Sequence, residues 1–253
     1  MNAEKNSLSQ LYSFFPPEKP IIVLLMMDFN DPCVNLWLED KILEYVAENT
    51  EITTIVRFWR NTECLVAGPR RSSHYGWYRE EAAERMGVKI FTRSTAGGVV
   101  FHDLGNLNWS FYVKTGKTSF VSPISFFKSA AYLVCSVLRR FDVNANFTPP
   151  NRIDVDGYKV SGMAAHLTYN AALIHGTLLF NTNLKKLNEL CIPPSGCPPV
   201  TNLCEINQKL TMQNFISHFC TYLRSQDYKV MVLKPFLNRL KFGGYPQQTI
   251  TYP

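Results

Sequence analysis

Residues Phe91 to Tyr112 read F-T-R-S-T-A-G-G-V-V-F-H-D-L-G-N-L-N-W-S-F-Y, and this stretch predicts the centre of the molecule. The Gly97-Gly98 pair lacks Cβ atoms, so a ligand can approach the backbone closely and exposed N–H groups can face it. Arg93 carries a rigid fork of donors that suits a carboxylate or a phosphate. The apolar run over residues 99–101 predicts a buried strand that holds His102 at its far end. A hairpin turn would explain the glycines alone, but the whole ordered run favours a binding site.

A second informative block runs from Asn151 to Asn183 and contains N-R-I-D-V-D-G-Y-K-V-S-G-M-A-A-H-L, followed by A-L-I-H-G-T-L-L-F-N-T-N. Asp156-Gly157 predicts a tight hairpin turn between two short strands. Lys159 then lies at the start of the return strand, beside small residues. On spacing alone, a lysine in this place is typical of a solvated strand edge.

The first block resembles a motif of lipoate-protein ligases and related biotin/lipoyl transferases, R-R-x-S-G-G-G-A-V-x-H-D-L-G-N. The matching positions are Arg93, Gly97, Gly98, Val100, His102, Asp103, Leu104, Gly105 and Asn106. Thr92, Thr95, Ala96 and Val99 depart from the motif. The second block resembles the pattern N-D-I-x-V-x-G-x-K-x-S-G-x-A with H-G-T-L-L after it, and residues 200–203 match a closing V-T-N-L motif.

The resemblance implies both a fold and a site. The implied fold is an α+β domain of mixed and antiparallel sheets packed with helices, over about residues 20–240. The catalytic lysine of the family falls on Lys159 and a pocket histidine on His175. The residues implied to bind the acyl substrate and its adenylate are Arg93, Thr95, Gly97, Gly98, Val99, Val100, Phe101, His102, Asn106, Asn151, Ala164 and His175.

The implied reaction uses ATP and Mg²⁺ to convert lipoate or octanoate into an acyl-adenylate, and then transfers the acyl group to a lysine of a carrier domain. The implied carrier is of the 2-oxoacid dehydrogenase acyltransferase type or the glycine-cleavage H-protein type. Many ligases have a C-terminal accessory domain that is not recognisable here, so a separate protein is a candidate to supply it. The sequence alone identifies no metal ligand.

Two departures from the ligase pattern keep other functions open. Arg152 replaces the aspartate of N-D-I, and the basic segment that ligases carry ahead of V-T-N-L is shortened here to residues 185–199. The short loop resembles sister octanoyltransferases, which use a cysteine nucleophile and no ATP, and Cys191 and Cys197 flank the expected position. The H-D-L-G-N run favours the ligase over the transferase. A third alternative is an acyl-binding or carrier-binding subunit that does not adenylate.

The composition excludes several classes of protein. The 253 residues are 46% hydrophobic and 18% charged, which is enough for a large core, and no run of 18 apolar residues predicts a membrane span. The seven cysteines lack C-x-x-C pairs and zinc-site spacing, so free thiols in the cytoplasm are expected. The net charge of +6 is spread over scattered basic pairs, which favours a solvated face over nucleic-acid binding.

The chain pattern predicts an arm over residues 1–19 and one catalytic domain over residues 20–253. Strands are expected over residues 21–29, 53–59, 64–67, 88–92, 107–113 and 228–233. Helices are expected over residues 32–47, 77–86, 184–190 and 211–226, and after a Ser122-Pro123 cap to about residue 140.

Overall fold

The computed structural model describes residues 21–27, 29–49, 54–69, 76–115 and 123–233. Its strands are β1 (Ile21–Met26), β2 (Thr54–Trp59), β3 (Cys64–Ala67), β4 (Ile90–Thr92), β5 (Val99–His102), β6 (Asn106–Lys114), β7 (Ala145–Thr148), β8 (Arg152–Val155), β9 (Tyr158–Leu167), β10 (Ala171–Leu179) and β11 (Val230–Leu233). Its helices are α1 (Pro32–Glu48), α2 (Glu80–Met86), α3 (Pro123–Arg139), α4 (Leu184–Leu190), α5 (Leu203–Ile206) and α6 (Met212–Ser225). The predicted arm over residues 1–19 and the Ser122 cap lie outside the described residues, and the single domain over residues 20–253 stays a prediction.

The described strands form two sheets. The large sheet has eight strands in the order β11-β1-β2-β6-β10-β9-β8-β7, and the small sheet has three in the order β4-β3-β5. In the large sheet, β1 is parallel to β11 and β2, and the remaining neighbours are antiparallel. In the small sheet, β3 is parallel to β4 and antiparallel to β5. The predicted α+β class with mixed sheets is therefore confirmed.

The large sheet separates two different environments because neighbouring residues of a strand face opposite sides. On β6, Leu107, Trp109, Phe111 and Val113 belong to the main core, which α3 and α6 cover. The intervening residues of β6 face the other side, where α1 packs and its Leu38, Ile42 and Val46 form a second core. Polar residues of β6 are buried on this second side, so the candidate site lies there.

The turn between β8 and β9 has the conformation that its sequence predicts. Asp156 has φ of 48° and Gly157 has φ of 85°. Positive φ at both central residues matches the twist of a two-residue hairpin, and aspartate followed by glycine tolerates it best. The turn places Lys159 at the second residue of β9, as expected.

Several boundaries differ from the sequence-based expectation, and three of them have an identifiable position in the fold. The helix predicted from Trp77 begins only at Glu80, because the backbone before it pairs with the segment after α4: Arg79 N donates to Leu190 O at 2.8 Å, and Ile192 N donates to Trp77 O at 2.9 Å. The strand predicted to reach residue 29 ends at Met26. The last strand begins at Val230 and not at residue 228, because the amide of Tyr228 closes the end of α6.

The elements that were not predicted include two short ones. Strand β7 lies at the outer edge of the large sheet beside β8, and α5 is a single turn after residue 202. The helix predicted over residues 211–226 is confirmed as α6, and its Phe215, Phe219 and Leu223 are buried as expected. Within the described residues, no helix is long and apolar enough to cross a bilayer.

Candidate active site

A cavity of about 310 Å³ lies between the small sheet and the α1 side of the large sheet. The glycine turn before β5 forms one wall, and β9 and β10 form the opposite wall. The segment after α4, which contains four prolines between residues 193 and 199, covers the cavity from outside. The lining is mainly apolar, with a few polar side chains, which is typical of a small-molecule site.

The glycine turn is held in place by Arg93, which is 7% exposed. Its guanidinium donates to Val66 O at 2.9 Å, to Gly98 O at 2.8 Å and to Thr95 Oγ1 at 2.8 Å. Gly97 has φ of 122°, and a Cβ there would lie 3.1 Å from Arg93 Nη2. Much of the predicted anion-binding fork is therefore engaged in shaping the turn.

A chain of buried hydrogen bonds runs from the turn to α1. Thr95 Oγ1 accepts from Arg93 Nε and lies 2.8 Å from His175 Nε2. His175 Nδ1 lies 2.8 Å from Glu39 Oε2, and Ser110 Oγ donates to Glu39 Oε1 at 2.6 Å. Since a carboxylate only accepts, His175 donates from Nδ1 to Glu39. The chain holds the imidazole in one orientation.

Glu39 is the negative charge at the end of this chain and is 2% exposed. Burial alone would raise the pKa of Glu39, but the charge and hydrogen bond of His175, the charge of Arg57 and the hydrogen bond of Ser110 hold it below its usual value. Arg57 is itself fully buried and donates to the backbone oxygen of Asn35 at 3.0 Å. Glu39 is therefore ionised and anchors the site to α1.

His102 is neutral, although it is surrounded by charged groups. Burial lowers the pKa of His102 to about 3, and the positive charge of Arg93 adds to this effect. The amide nitrogen of Asn61 donates a hydrogen bond to His102 Nδ1 at 3.1 Å. The imidazole edge packs against Trp59, with ring centroids 6.0 Å apart. His102 thus acts as a packed polar wall of the cavity.

Lys159 lies at the mouth of the cavity. Its side chain passes over Gly162, where a Cβ would lie 3.3 Å from both Lys159 Cε and Nζ. Its backbone pairs with the covering segment, because Lys159 N donates to Pro199 O at 2.9 Å and Thr201 N donates to Lys159 O at 3.2 Å. No hydrogen bond or ion pair joins the ammonium to any residue that the structure describes. The ammonium is therefore available to a ligand in this part of the molecule.

Most of the residues singled out from the sequence line this one cavity. They are Arg93, Gly97, Gly98, Val99, Val100, Phe101, His102, Asn151, Lys159, Ala164, His175, Cys191 and Cys197. The other two, Thr95 and Asn106, are fully buried behind it. Thr95 joins Arg93 to His175, and Asn106 donates to Asn108 Oδ1 at 2.9 Å. These two side chains support lining residues and do not reach the cavity.

Several lining residues were missed by the sequence analysis, notably Glu39, Trp59, Asn108 and Thr177. A signal existed for Glu39: it follows Leu36 by three residues and precedes Leu43 by four, so a carboxylate lies on the apolar face of a helix. The other residues depend on the sheet register. Asn108 pairs with both Trp59 and Thr177, which puts all three on one face of the sheet, and that pairing is not visible in the sequence.

The two cysteines lie on the covering segment. Burial raises the pKa of the Cys191 thiol to about 12, although the nearby charge of Lys159 acts in the opposite direction. A thiol in this state is protonated at neutral pH and is a poor nucleophile. All seven cysteines are free thiols, as predicted.

A family model described as the lipoyl protein ligase A/B catalytic domain matches residues 31–224. Among curated relatives, lipoate-protein ligase LplJ of Bacillus subtilis is 28% identical over 207 residues, which are 78% of this chain and 60% of the relative. Lipoate-protein ligase A of Psychrobacter cryohalolentis is 29% identical over 221 residues, which are 81% of this chain and 61% of the relative. The chain spans between 45% and 62% of the length of the first curated relatives it matches.

Solved structures share the fold. A bipartite lipoate protein ligase of Thermoplasma acidophilum, studied with its E2 lipoyl domain, has a TM-score of 0.72 at 18% identity over 86% of this chain and 87% of its own. LipL1 of Plasmodium falciparum in complex with lipoate has a TM-score of 0.65 at 26% identity over 84% of this chain and 66% of its own. A lipoate-protein ligase A bound with ATP has a TM-score of 0.70 at 19% identity over 86% of this chain and 88% of its own.

Proposed function

Because the chain belongs to the lipoyl protein ligase A/B catalytic domain family, we propose that it is a lipoate-protein ligase. The proposed substrates are lipoate or octanoate, ATP and a lysine of a lipoyl-carrier domain. The observation that carries the proposal is the cavity itself. It is an apolar enclosure with the glycine turn on one wall and, at its mouth, the ammonium of Lys159, which no described residue pairs. An acyl tail fits the enclosure, and its carboxylate fits the mouth.

The first proposed step joins two anions. A carboxylate oxygen of the acid attacks the α-phosphorus of ATP, and the bond from that phosphorus to the pyrophosphate oxygen breaks. Positive charge and backbone donors must offset the repulsion between these groups. We assign this role to Lys159, which lines the cavity, and the lack of a side chain at Gly97 and Gly98 allows the carboxylate to approach the backbone closely.

In the second proposed step, the lysine amine of the carrier attacks the acyl carbon and loses a proton, and the bond from that carbon to the AMP oxygen breaks. Lys159 stabilises the oxyanion and the departing phosphate. His175 and His102, both on the cavity wall, orient the acyl chain. The hydrogen-bond chain through Thr95 to Glu39 keeps His175 in one orientation, so Glu39 is a positioning residue.

Mg²⁺ accompanies ATP in the reaction that we propose. No group of three or more His, Cys, Asp or Glu in the described ranges can hold a metal ion. The carboxylate beside Lys159 on the neighbouring strand is Asp154, and it is already paired with Arg152 at 2.8 Å. We therefore assign no step to a protein-bound metal.

The thioester route is not favoured by any observation. The protonated state of Cys191 opposes nucleophilic attack. Cys197 also lines the cavity, so Cys197→Ser tests the route directly, and a ligase retains its activity in that variant. The alternative of a subunit without adenylation gains no support from the cavity, which keeps Lys159 available.

The proposed partner is a lipoyl-carrier domain of the 2-oxoacid dehydrogenase or glycine-cleavage type. The Thermoplasma acidophilum neighbour is described as bipartite and was studied with an E2 lipoyl domain. A separate accessory protein is therefore included in the proposal. The free thiols agree with the proposed cytoplasmic location.

The proposal is tested by incubating the protein with lipoate and Mg-ATP, measuring pyrophosphate release, and weighing an added carrier domain by mass spectrometry. Lys159→Ala is expected to lower the rate by at least about a hundredfold, since one electrostatic contact in a site of this kind contributes that much. Lys128→Ala, on the exposed surface of α3, is the matched control and should keep the wild-type rate. Near-normal turnover by folded Lys159→Ala would refute its assigned role.

A further inference from the structure

We propose that Arg152 is a second phosphate-binding cation of this site, and that it acts where a metal-binding carboxylate would otherwise be needed. The inference rests on the proposed function, since the phosphates are those of the nucleotide. It assigns to Arg152 direct contact with a phosphate group of ATP and of the acyl-adenylate.

The sheet register places Arg152 beside Lys159. Arg152 on β8 pairs directly with Gly162 on β9. Directly paired residues of an antiparallel sheet project from the same face. Lys159 Cε and Nζ lie 3.3 Å from the position that a Cβ of Gly162 would take. The two cationic side chains therefore extend from the same face of the sheet, with Lys159 on the lining of the cavity and Arg152 beside it.

The guanidinium is held by one edge and leaves its other edge available. Arg152 Nε lies 3.1 Å from Asp154 Oδ1 and 2.8 Å from Asp154 Oδ2. Both side chains are only partly exposed, at 27% and 15%. No hydrogen bond or ion pair joins the two terminal nitrogens of Arg152 to a residue that the structure describes. A planar fork presented in this way binds two oxygens of one phosphate.

The charges around Arg152 favour an anion over a metal cation. Lys159 and Arg152 carry two positive charges on this face, and Asp154 carries one negative charge. The facing residue of β7 is Thr148, which pairs with Arg152 and is uncharged. These three charged side chains sum to +1, and a positive balance repels a free divalent cation and attracts a phosphate.

Binding of ATP through Arg152 should not require Mg²⁺. Where a protein carboxylate holds Mg²⁺, chelation of the metal removes the link between the protein and the phosphates. Here the link is the guanidinium itself, so ATP should remain bound in the presence of EDTA. Mg²⁺ would then enter the site bound to the nucleotide. The ion usually keeps several of its water ligands when it binds.

The test is calorimetric titration of the full chain with ATP, in EDTA and in excess MgCl₂. Wild-type protein is expected to bind in both buffers with affinities within about tenfold of each other. Arg152→Ala should weaken binding in EDTA by about ten- to a hundredfold, which is typical of a lost hydrogen bond to a charged group. Arg152→Lys should restore part of the affinity.

The matched control is Arg224→Ala, which removes an exposed arginine of α6 on the opposite face of the large sheet and should leave binding unchanged. Two results would overturn the inference: unchanged ATP affinity in folded Arg152→Ala, or wild-type binding that disappears in EDTA. If Arg152→Ala does not fold, Arg152→Gln replaces it, since glutamine can still donate to Asp154.

A second assay separates this inference from the proposed function. Lipoate-dependent exchange of pyrophosphate into ATP reports adenylation. If wild type shows exchange and Arg152→Ala keeps its KM for ATP, Arg152 alone is refuted. If wild type binds ATP through Arg152 and shows no exchange with lipoate or octanoate, the proposed ligase activity is refuted and the phosphate site stands. If wild type does not bind ATP, both are refuted.

Discussion

The buried imidazole of His102 should make the protein less stable as the pH falls from 7.5 to 5. In the folded chain the pKa of His102 is held at about 3, first by burial and then by the charge of Arg93. In the unfolded chain the pKa of a histidine is about 6.5. Between these values the unfolded state binds a proton that the folded state does not, so stability rises with pH across this window and is lost as pH falls.

The size of the effect follows from the two pKa values. Protonation of His102 in the unfolded state lowers the free energy of unfolding by about 2 kcal/mol at pH 5. Each pH unit below 6.5 contributes about 1.4 kcal/mol. The contribution continues to grow until the pH reaches the folded pKa of about 3. Carboxylates add to the total pH dependence, so the histidine must be isolated by substitution.

The assay is urea unfolding followed by circular dichroism at pH 7.5 and pH 5.0, at constant ionic strength. His102→Asn keeps an acceptor for the Asn61 amide and removes the titrating group. The free energy of unfolding of this variant should change less between the two pH values than that of wild type, by about 2 kcal/mol. His218→Asn, on the exposed side of α6, is the control. An equal pH dependence in wild type and His102→Asn would show that the folded imidazole titrates normally.

Two further predictions concern the backbone and the buried chain of hydrogen bonds. Gly105→Ala should destabilise the fold by at least about 3 kcal/mol, because the added Cβ would lie 2.0 Å from the backbone oxygen of Asn181. Gly87→Ala is the control, since its Cβ would meet nothing within 4 Å. It should lose only about 1 kcal/mol of stability, because alanine is strained at a φ of 65°. Urea unfolding compares the two, and equal losses would contradict the clash. Thr95→Val should lower the free energy of unfolding by about 2–4 kcal/mol, because Arg93 Nε and His175 Nε2 lose their hydrogen-bond partner. Thr95→Ser keeps the hydroxyl, so it should retain most of the stability and of the acyl-transfer activity. A Thr95→Val protein as stable and active as Thr95→Ser would show that the hydroxyl has no role.

Much of the fold could be predicted because its strongest signals are local. The turn at residues 156–157 needs positive φ, and its sequence supplies the two residue types that tolerate it. The α6 helix has its apolar residues at helical spacing and a Thr211 cap. The end of the strand after the glycine turn was also predicted correctly, with His102 as its last residue.

The errors have a common physical origin in long-range pairing. Residues 77–79 have a pattern that suits a helix, yet their backbone pairs with the segment after α4, more than 100 positions away. Strand β7 is short and partly exposed, so its own sequence carries little alternation. Such elements are decided by what they contact, and local propensity does not record that.

The candidate site divides in the same way. The residues in the two contiguous blocks were found because a resemblance covers continuous sequence. Glu39 was missed although it ends the hydrogen-bond chain of His175, because the partner lies 136 positions away. The engagement of Arg93 by the turn could not be predicted either, because its acceptors are two backbone oxygens and a hydroxyl.

Alternate residues of β6 face the main core and the cavity side, so the pairing register of this strand determines the composition of both. Inserting one residue before Leu107 would exchange the two sides: the indole of Trp109 would turn toward the ligand space, and Asn108 and Ser110 would enter the apolar layer beneath α3 and α6. Neither side tolerates such an exchange, because the main core needs apolar side chains and the cavity wall needs polar ones. A one-residue slip of this strand would therefore disrupt the core and the cavity wall together, so both depend on a single register.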